Sequence, residues 1–321
     1  MRKLGVLMLA VFAGAVVFSG CGKGEKQLHF VLVPKSLGNP YWFAAEKGMR
    51  KAAEELGVRA EFLGPVRADV AEQVSLIESL IAKRVDGIAV SPNDPDGLRE
   101  VIDRAIDAGI PMITFDSDAP NSKRICYVGT NNYLAGREAG KMMLKFLGTK
   151  GKYAIITGGL GALNLNERIR GFRDVLREAG AQLEEVAIEA CDDDTDIALQ
   201  KMESVTRSRP DLNAWFVTGC WAVVAPKKTF LAALANRDDI IVIGFDTLKE
   251  SLLLVKEGAV QALIGQRPYD MGYKSIYVLY DIVANKKMPE QEIIDTGVDI
   301  VTKENVDEFL TKLKRRASDG V

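Results

Sequence analysis

The chain repeats one pattern along most of its length: a short apolar run, then a longer amphipathic stretch. Apolar runs at 28–33, 59–63, 86–90, 111–115 and 125–128 alternate with amphipathic stretches at 40–56, 70–84, 96–108 and 132–147. The alternation resumes with runs at 152–157, 184–189, 213–218, 240–244 and 261–264, and stretches near 165–179, 196–208, 222–235, 248–257 and 269–285. Runs that are apolar throughout predict strands buried on both faces, and the stretches between them predict helices covering a parallel sheet. The fold class that follows is α/β.

The two halves echo each other. Residues 110–116 read IPMITFD and residues 240–246 read IIVIGFD, each a buried strand that stops on an aspartate, Asp116 or Asp246. Ser91 after GIAV and Gly219 two residues after WFV form a second matching pair of strand ends. Two doubly wound parallel-sheet lobes, each presenting polar groups at its carboxyl strand ends, predict a ligand cleft between them.

The amino terminus has a different character. Arg2 and Lys3 precede an uncharged, mostly apolar run from Leu4 to Phe18, followed by Ser19, Gly20 and Cys21. This reads as a secretory signal peptide over 1–20, and the run is short for a transmembrane span. The small-small-Cys ending resembles the lipobox of bacterial lipoproteins. That resemblance implies lipid on Cys21, a polar tether over 21–27 and an extracytoplasmic protein anchored to a bacterial membrane. Residues 21–321 suffice for two domains of ordinary size.

Composition narrows the chemistry. With 42 basic and 44 acidic residues the net charge is −2, so nothing points to nucleic acid. The basic run Lys312 to Arg316 reads as the solvated face of a terminal helix. The single histidine, His29, starts the first strand, on the edge opposite an α/β site. No His-based triad or zinc site is expected. Apart from Cys21, the cysteines are Cys126, Cys191 and Cys220. Cys191 and Cys220 each end a predicted strand in one half, so a disulfide and free buried thiols both stay open. Asp192, Asp194, Asp196 and Glu203 imitate a calcium loop, but Ile197 stands where its glycine is required; Asp194 or Asp196 reads instead as a helix cap. Gly158, Gly159 and Gly161 form a tight turn without the full dinucleotide fingerprint. Neither a metal nor a cofactor is expected.

Seven segments, in order, carry a resemblance: LVPKSLGNPYW (32–42), VDGIAVSPNDP (85–95), IPMITFDS (110–117), NERIRGF (166–172), RPDLNAWF (209–216), VIGFD (242–246) and IGQRPYDMG (264–272). From Leu28 to Asn305 the chain resembles type I periplasmic sugar-binding proteins, the receptors of ABC importers, in particular the ribose- and rhamnose-binding branch. The resemblance implies three crossings between lobes, near Gly129-Thr130, Gln266-Arg267 and Thr296-Gly297. The first lobe would be 28–129 plus 267–296, the second 130–266 plus 297–321, with hinge closure as the working motion. It further implies a monomer with no enzymatic activity that binds a monosaccharide (a pentose, hexose, deoxyhexose or polyol) and delivers it to an ABC permease. A nucleoside-binding lipoprotein, or a sugar sensor for a chemoreceptor or histidine kinase, is the alternative. Sugar-responsive repressors share the fold but carry a DNA-reading headpiece, and no such segment stands ahead of Leu28.

A sugar offers hydroxyls at its rim and C–H groups on its faces, so its receptor needs carboxylates, amides and aromatic rings. The resemblance puts Asn39, Tyr41 and Trp42, an amide followed by two aromatics, at the end of the first strand, with Lys35 ahead of them. Asp116 and Asp246 match the two cleft carboxylates, and Gln266 an amide at the second crossing. Ser91 and Ser117 stand at the same strand ends. Departures from the ribose receptors are Asn166 in place of an arginine, with Arg170 one turn on as its substitute; Asp193 in place of an aromatic; and Gly219 in place of an asparagine, with Trp221 to restore the stacking surface. A hydrolase using Asp116 and Asp246 as acid and base is not expected, because both match binding positions.

Overall fold

The computed structural model describes residues 27–318. The leader, Cys21 and residues 22–26 lie outside the described residues. In chain order the elements are β1 (His29–Val33), α1 (Trp42–Leu56), β2 (Arg59–Phe62), α2 (Val70–Lys83), β3 (Gly87–Val90), α3 (Pro95–Asp107), β4 (Met112–Phe115), β5 (Tyr127–Gly129), α4 (Asn132–Leu147), β6 (Lys150–Thr157), α5 (Leu163–Glu178) and β7 (Gln182–Ala190). They continue with α6 (Thr195–Ser208), β8 (Ala214–Val217), a 3-10 turn (Ala222–Val224), α7 (Lys227–Ala233), β9 (Ile241–Phe245), α8 (Lys249–Lys256), β10 (Ala262–Gly265), α9 (Pro268–Val283), β11 (Ile293–Asp295), β12 (Asp299–Thr302) and α10 (Val306–Ser318).

The strands form two six-stranded sheets in the orders β2-β1-β3-β4-β5-β11 and β7-β6-β8-β9-β10-β12. Every pairing is parallel except the antiparallel β10–β12. The first five strands of each sheet thus repeat one doubly wound order, whose direction reverses between β1 and β3 and again between β6 and β8. Such switch points open a crevice at the carboxyl strand ends.

Both faces of each sheet are covered, and the side chains show it by period two. In β1, Phe30 and Leu32 join the core under α1 and α9, while Val31 and Val33 join the core under α2 and α3. In β8, Ala214 and Phe216 face α4 and α5, while Trp215 and Val217 face α6 and α7. Helix α9 follows β10 of the second sheet yet packs on α1 over the first, its Met271, Ile276 and Leu279 in the same core as Trp42 and Phe30. Cys220, Val224 and Leu248 come from second-sheet loops and also pack into that core, so the two sheets' domains are in direct contact.

Two features depart from the sequence expectation. The single helix expected near 222–235 is broken at Pro226, where Ala225 takes an extended conformation (φ −70°, ψ 153°), as a residue before proline prefers. Strands β11 and β12, which the sequence reading does not assign, are edge strands with partly exposed side chains. Cys126, Cys191 and Cys220 are all buried free thiols.

Candidate functional site

The carboxyl ends of both sheets converge on a small cavity of about 30 Å³. From the first sheet's side come Lys35, Asn39, Tyr41, Trp42 and Asp116; from the second come Asn164, Leu165, Arg168, Asp193, Gly219, Cys220, Trp221, Asp246 and Gln266. A larger cavity of about 450 Å³ shares Tyr41, Asp246 and Gln266 and lies among Pro40, Leu248, Tyr269 and Phe309.

On the first side, the loop after β1 is fixed by an Asx turn: the Tyr41 amide donates to Asn39 Oδ1 at 3.0 Å. That turn starts α1 and packs Trp42 edge-on against Tyr41 and Phe115, with ring centroids 5.0 and 5.9 Å apart. Asp116 follows β4 in a left-handed conformation (φ 61°), which aspartate tolerates better than most residues. Its carboxylate accepts the Tyr41 hydroxyl at 2.9 Å and the Ser91 hydroxyl at 2.7 Å. Burial holds the Tyr41 phenol well above its ordinary pKa, and the Asp116 charge adds to the effect, so the phenol is the donor.

The second side is organised by Arg168, 1% exposed. Its Nε donates to Asn132 Oδ1 at 2.9 Å, Nη1 to the Thr218 carbonyl at 2.7 Å and Nη2 to Gln266 Oε1 at 2.6 Å. The guanidinium lies 4.3 Å from the Phe245 ring centroid, a cation–π contact. Helix α5 can bring it there because glycines let α4 and α5 touch: a Cβ on Gly136 would strike the Arg168 backbone, and one on Gly171 the Tyr133 backbone. With Gln266 Oε1 taken, its amide nitrogen donates to Asp246 Oδ1 at 2.9 Å. Burial pushes the Asp246 carboxyl up to about 6, against the pull of Arg168 and the Gln266 hydrogen bond.

Asp193 sits on a loop where it and Asp192 are both left-handed (φ 61° and 49°). Its carboxylate lies against Gly158, and the Trp221 ring rests on Gly158 and Gly219; a Cβ at either glycine would collide with the ring, and one at Gly158 with the Asp193 carboxylate as well. Lys35 and Asp193 stabilise each other's charged forms: burial lowers the Lys35 pKa and raises that of Asp193, and each charge counters the other's shift. Two hydrogen bonds cross the cleft directly. Lys35 Nζ donates to Asn164 Oδ1 at 2.7 Å, and the Cys220 thiol donates to Asn39 Oδ1 at 3.2 Å. Burial, with Asp246 and Asp193 nearby, keeps that thiol protonated.

Of the expected site residues, Lys35, Asn39, Tyr41, Trp42, Asp116, Asp193, Trp221, Asp246 and Gln266 line this cavity. Four do not. Ser91 stands behind Asp116 as its hydrogen-bond donor, and Ser117 is fully buried outside the lining. Asn166 and Arg170 occupy the outer face of α5. Asn166 donates to the Leu160 carbonyl, while Arg170 pairs with Glu167 at 2.6 Å and covers the Tyr133 ring. The inner face of that helix belongs to Asn164 and Arg168, which the sequence reading missed. The signal was available: Leu165, Ile169 and Phe172 mark the buried stripe, and Arg168 falls inside it. Asp194 caps α6 by accepting the Asp196 and Ile197 amides, which accounts for part of the acidic run.

Comparison with known proteins agrees with this architecture. A profile of the periplasmic binding protein domain matches residues 30–287. The ribose import binding protein RbsB of Bacillus subtilis is 28% identical over 264 residues, 82% of this chain and 84% of that protein. An ABC transporter solute-binding protein from Burkholderia graminis, solved in complex with D-arabinose, is 35% identical with a TM-score of 0.81 and covers 87% of this chain and 96% of its own. A XylFII–LytSN complex contains a chain 31% identical with a TM-score of 0.75, covering 87% and 98%. The Bacillus subtilis and Burkholderia graminis relatives are binding and transport proteins, not enzymes, and periplasmic binding proteins of import systems work outside the cytoplasm. Among the described residues no helix is long and apolar enough to cross a membrane. With two lobes of one doubly wound order closing on a polar, aromatic-walled cleft, the chain belongs to the type I periplasmic sugar-binding proteins of ABC importers.

Proposed function

We propose that this chain is a lipid-anchored receptor that takes a monosaccharide (a pentose, hexose, deoxyhexose or polyol) into the cleft and hands it to an ABC permease. The lobes 28–129 plus 267–296 and 130–266 plus 297–321 close over the sugar, and Cys21 carries the lipid. The observation that carries this reading is the mixture of partners in one cavity. The carboxylates of Asp116, Asp193 and Asp246 accept; Lys35, Asn39, Asn164 and Arg168 donate; Tyr41, Trp42 and Trp221 wall the space. A hydroxyl donates and accepts at once, so a polyhydroxylated ring satisfies both sets, whereas a purely cationic or purely anionic ligand strands one of them. Entry of the sugar exchanges the Lys35–Asn164 and Cys220–Asn39 bonds for bonds to ligand hydroxyls.

A thermal-shift screen of residues 22–321 against pentoses, hexoses, deoxyhexoses, polyols and nucleosides tests the cargo. A ligand at 100 times its dissociation constant stabilises the fold by about 2.7 kcal/mol. A rise with one sugar is the expected result. A rise only with nucleosides, or with nothing after unfolding and refolding to strip a co-purified ligand, overturns it. Incorporation of labelled palmitate, lost in Cys21→Ala, tests the anchor. The likeness to the XylFII–LytSN complex favours one further reading, presentation of the sugar to a sensor. Capture by the sugar-loaded protein of a kinase sensor domain rather than a permease would select it.

A further inference from the structure

The chain has three tryptophans, and they are not treated alike. Trp215 lies in the core of the second lobe, fully buried, and its indole N–H donates to the Thr206 hydroxyl at 3.1 Å. Trp42 and Trp221 are 3% and 4% exposed, yet neither indole nitrogen has a protein partner or contact with solvent. Both line the cleft cavity, one from each lobe. A hydroxyl can rotate to find a partner; an indole N–H points where its ring is set. These rings are set firmly: Trp42 is wedged edge-on between Tyr41 and Phe115, and Trp221 lies over the bare Cα atoms of Gly158 and Gly219. Buried donors are ordinarily paired, and an unpaired one asks for an explanation.

We infer that Trp42 and Trp221 donate their indole N–H groups to oxygens of the ligand, so that each lobe reads one acceptor on the sugar in addition to supplying an aromatic wall. This rests on the sugar-binding reading above and sharpens it. The ligand class is a neutral sugar carrying a hydroxyl or ring oxygen toward each lobe. A hydroxyl held this way accepts from an indole while giving its own proton to a carboxylate of the cleft. A sugar that lacks the facing hydroxyl leaves one indole unpaired in the closed form and is rejected.

Trp→Phe keeps an aromatic wall and removes the donor. Titration calorimetry with D-ribose, D-arabinose, D-xylose, D-galactose and their monodeoxy analogues reads the consequence. Each of Trp42→Phe and Trp221→Phe should weaken the best sugar by about tenfold, and the pair by about a hundredfold, because the two rings belong to different lobes. The monodeoxy sugar that loses affinity for the wild type should lose none for the matching Phe variant. If a variant does not fold, the wild type still answers. Of the three indole N–H cross-peaks in a nitrogen-15 spectrum, the two from Trp42 and Trp221 should move downfield on adding sugar, and that of Trp215 should stay. Sugar binding with both Phe variants within twofold of wild type, or with the two cleft peaks unmoved, overturns the inference and leaves the receptor reading standing. No binding by the wild type to any pentose, hexose, deoxyhexose or polyol of the thermal-shift panel removes both.

Discussion

Asp116 and Asp246 end the fourth strands of two sheets built in the same order, and both backbones are left-handed (φ 61° and 70°). The lobes nevertheless use them differently. Asp116 accepts two hydroxyls of its own lobe, from Tyr41 and Ser91. Asp246 accepts a single amide hydrogen, from a Gln266 that Arg168 has turned toward it, and burial leaves its carboxyl titrating at about 6. One lobe engages both oxygens of its carboxylate before a ligand arrives and keeps only their remaining lone pairs for it; the other leaves most of its carboxylate for the ligand. Repetition of a topology thus fixes where a carboxylate stands, while the second layer of hydrogen bonds decides what it is free to do.

The largest effects fall on binding. Asp246→Ala and Asp116→Ala should each weaken the sugar by about 2–5 kcal/mol, because each leaves ligand hydroxyls buried and unpaired. Calorimetry with the sugar identified by the thermal screen measures both, and unchanged affinity in the two variants removes the site assignment.

Stability without ligand should separate the two residues, and in opposite directions. The folded state prefers Asp246 neutral, since its carboxyl moves from 3.8 to about 6. Sign follows from linkage: the ionisation penalty is absent below pH 3.8, grows between the two values and is complete above about 6. Asp246→Asn should therefore stabilise the ligand-free protein by about 3 kcal/mol at pH 7.5 and by almost nothing at pH 3.5. Asp116→Ala strands the buried Tyr41 and Ser91 hydroxyls and should cost about 1–3 kcal/mol. Denaturant melts at the two pH values check both, and two variants that shift the same way would erase the contrast between the lobes.

A smaller effect belongs to pH itself. Ionised acceptors make the stronger hydrogen bonds, so sugar affinity should rise by up to about tenfold as pH climbs through 6. Asp246→Asn should flatten that rise. A slope that survives the substitution places the titrating group elsewhere in the cleft.

Much of this was legible in the sequence, for physical reasons. Strands buried on both faces cannot hide their apolar runs, and a strand that stops on aspartate marks its own carboxyl end, as 110–116 and 240–246 do. The broken helix at Pro226 was also written there, though read as continuous. What could not be read was the second layer: that Ser91 serves Asp116 rather than a ligand, that Arg168 turns Gln266, and that a thiol at Cys220 reaches Asn39. Those depend on side chains meeting from segments far apart in sequence, which no local pattern encodes.

Helix phase is the instructive failure. Asn166 and Arg170 were expected in the cleft, and the residues that stand there are Asn164 and Arg168. An offset of two residues turns a helix by roughly 200°, from one face to the other. Both pairs are four apart, so spacing alone does not separate them; the apolar stripe of Leu165, Ile169 and Phe172 sets the phase. The smallest prediction tests the corrected phase. Asn166→Ala and Arg170→Ala sit on the solvent side and should change sugar affinity and stability by no more than about 0.5 kcal/mol. Asn164→Ala, one half-turn away on the same helix, removes the cleft partner of Lys35 and should weaken binding measurably. A loss at Asn166 or Arg170 comparable to that at Asn164 would mean that the ligand reaches round α5 to its outer face, and the contrast between a largely engaged and a largely open carboxylate would have to be redrawn around that contact.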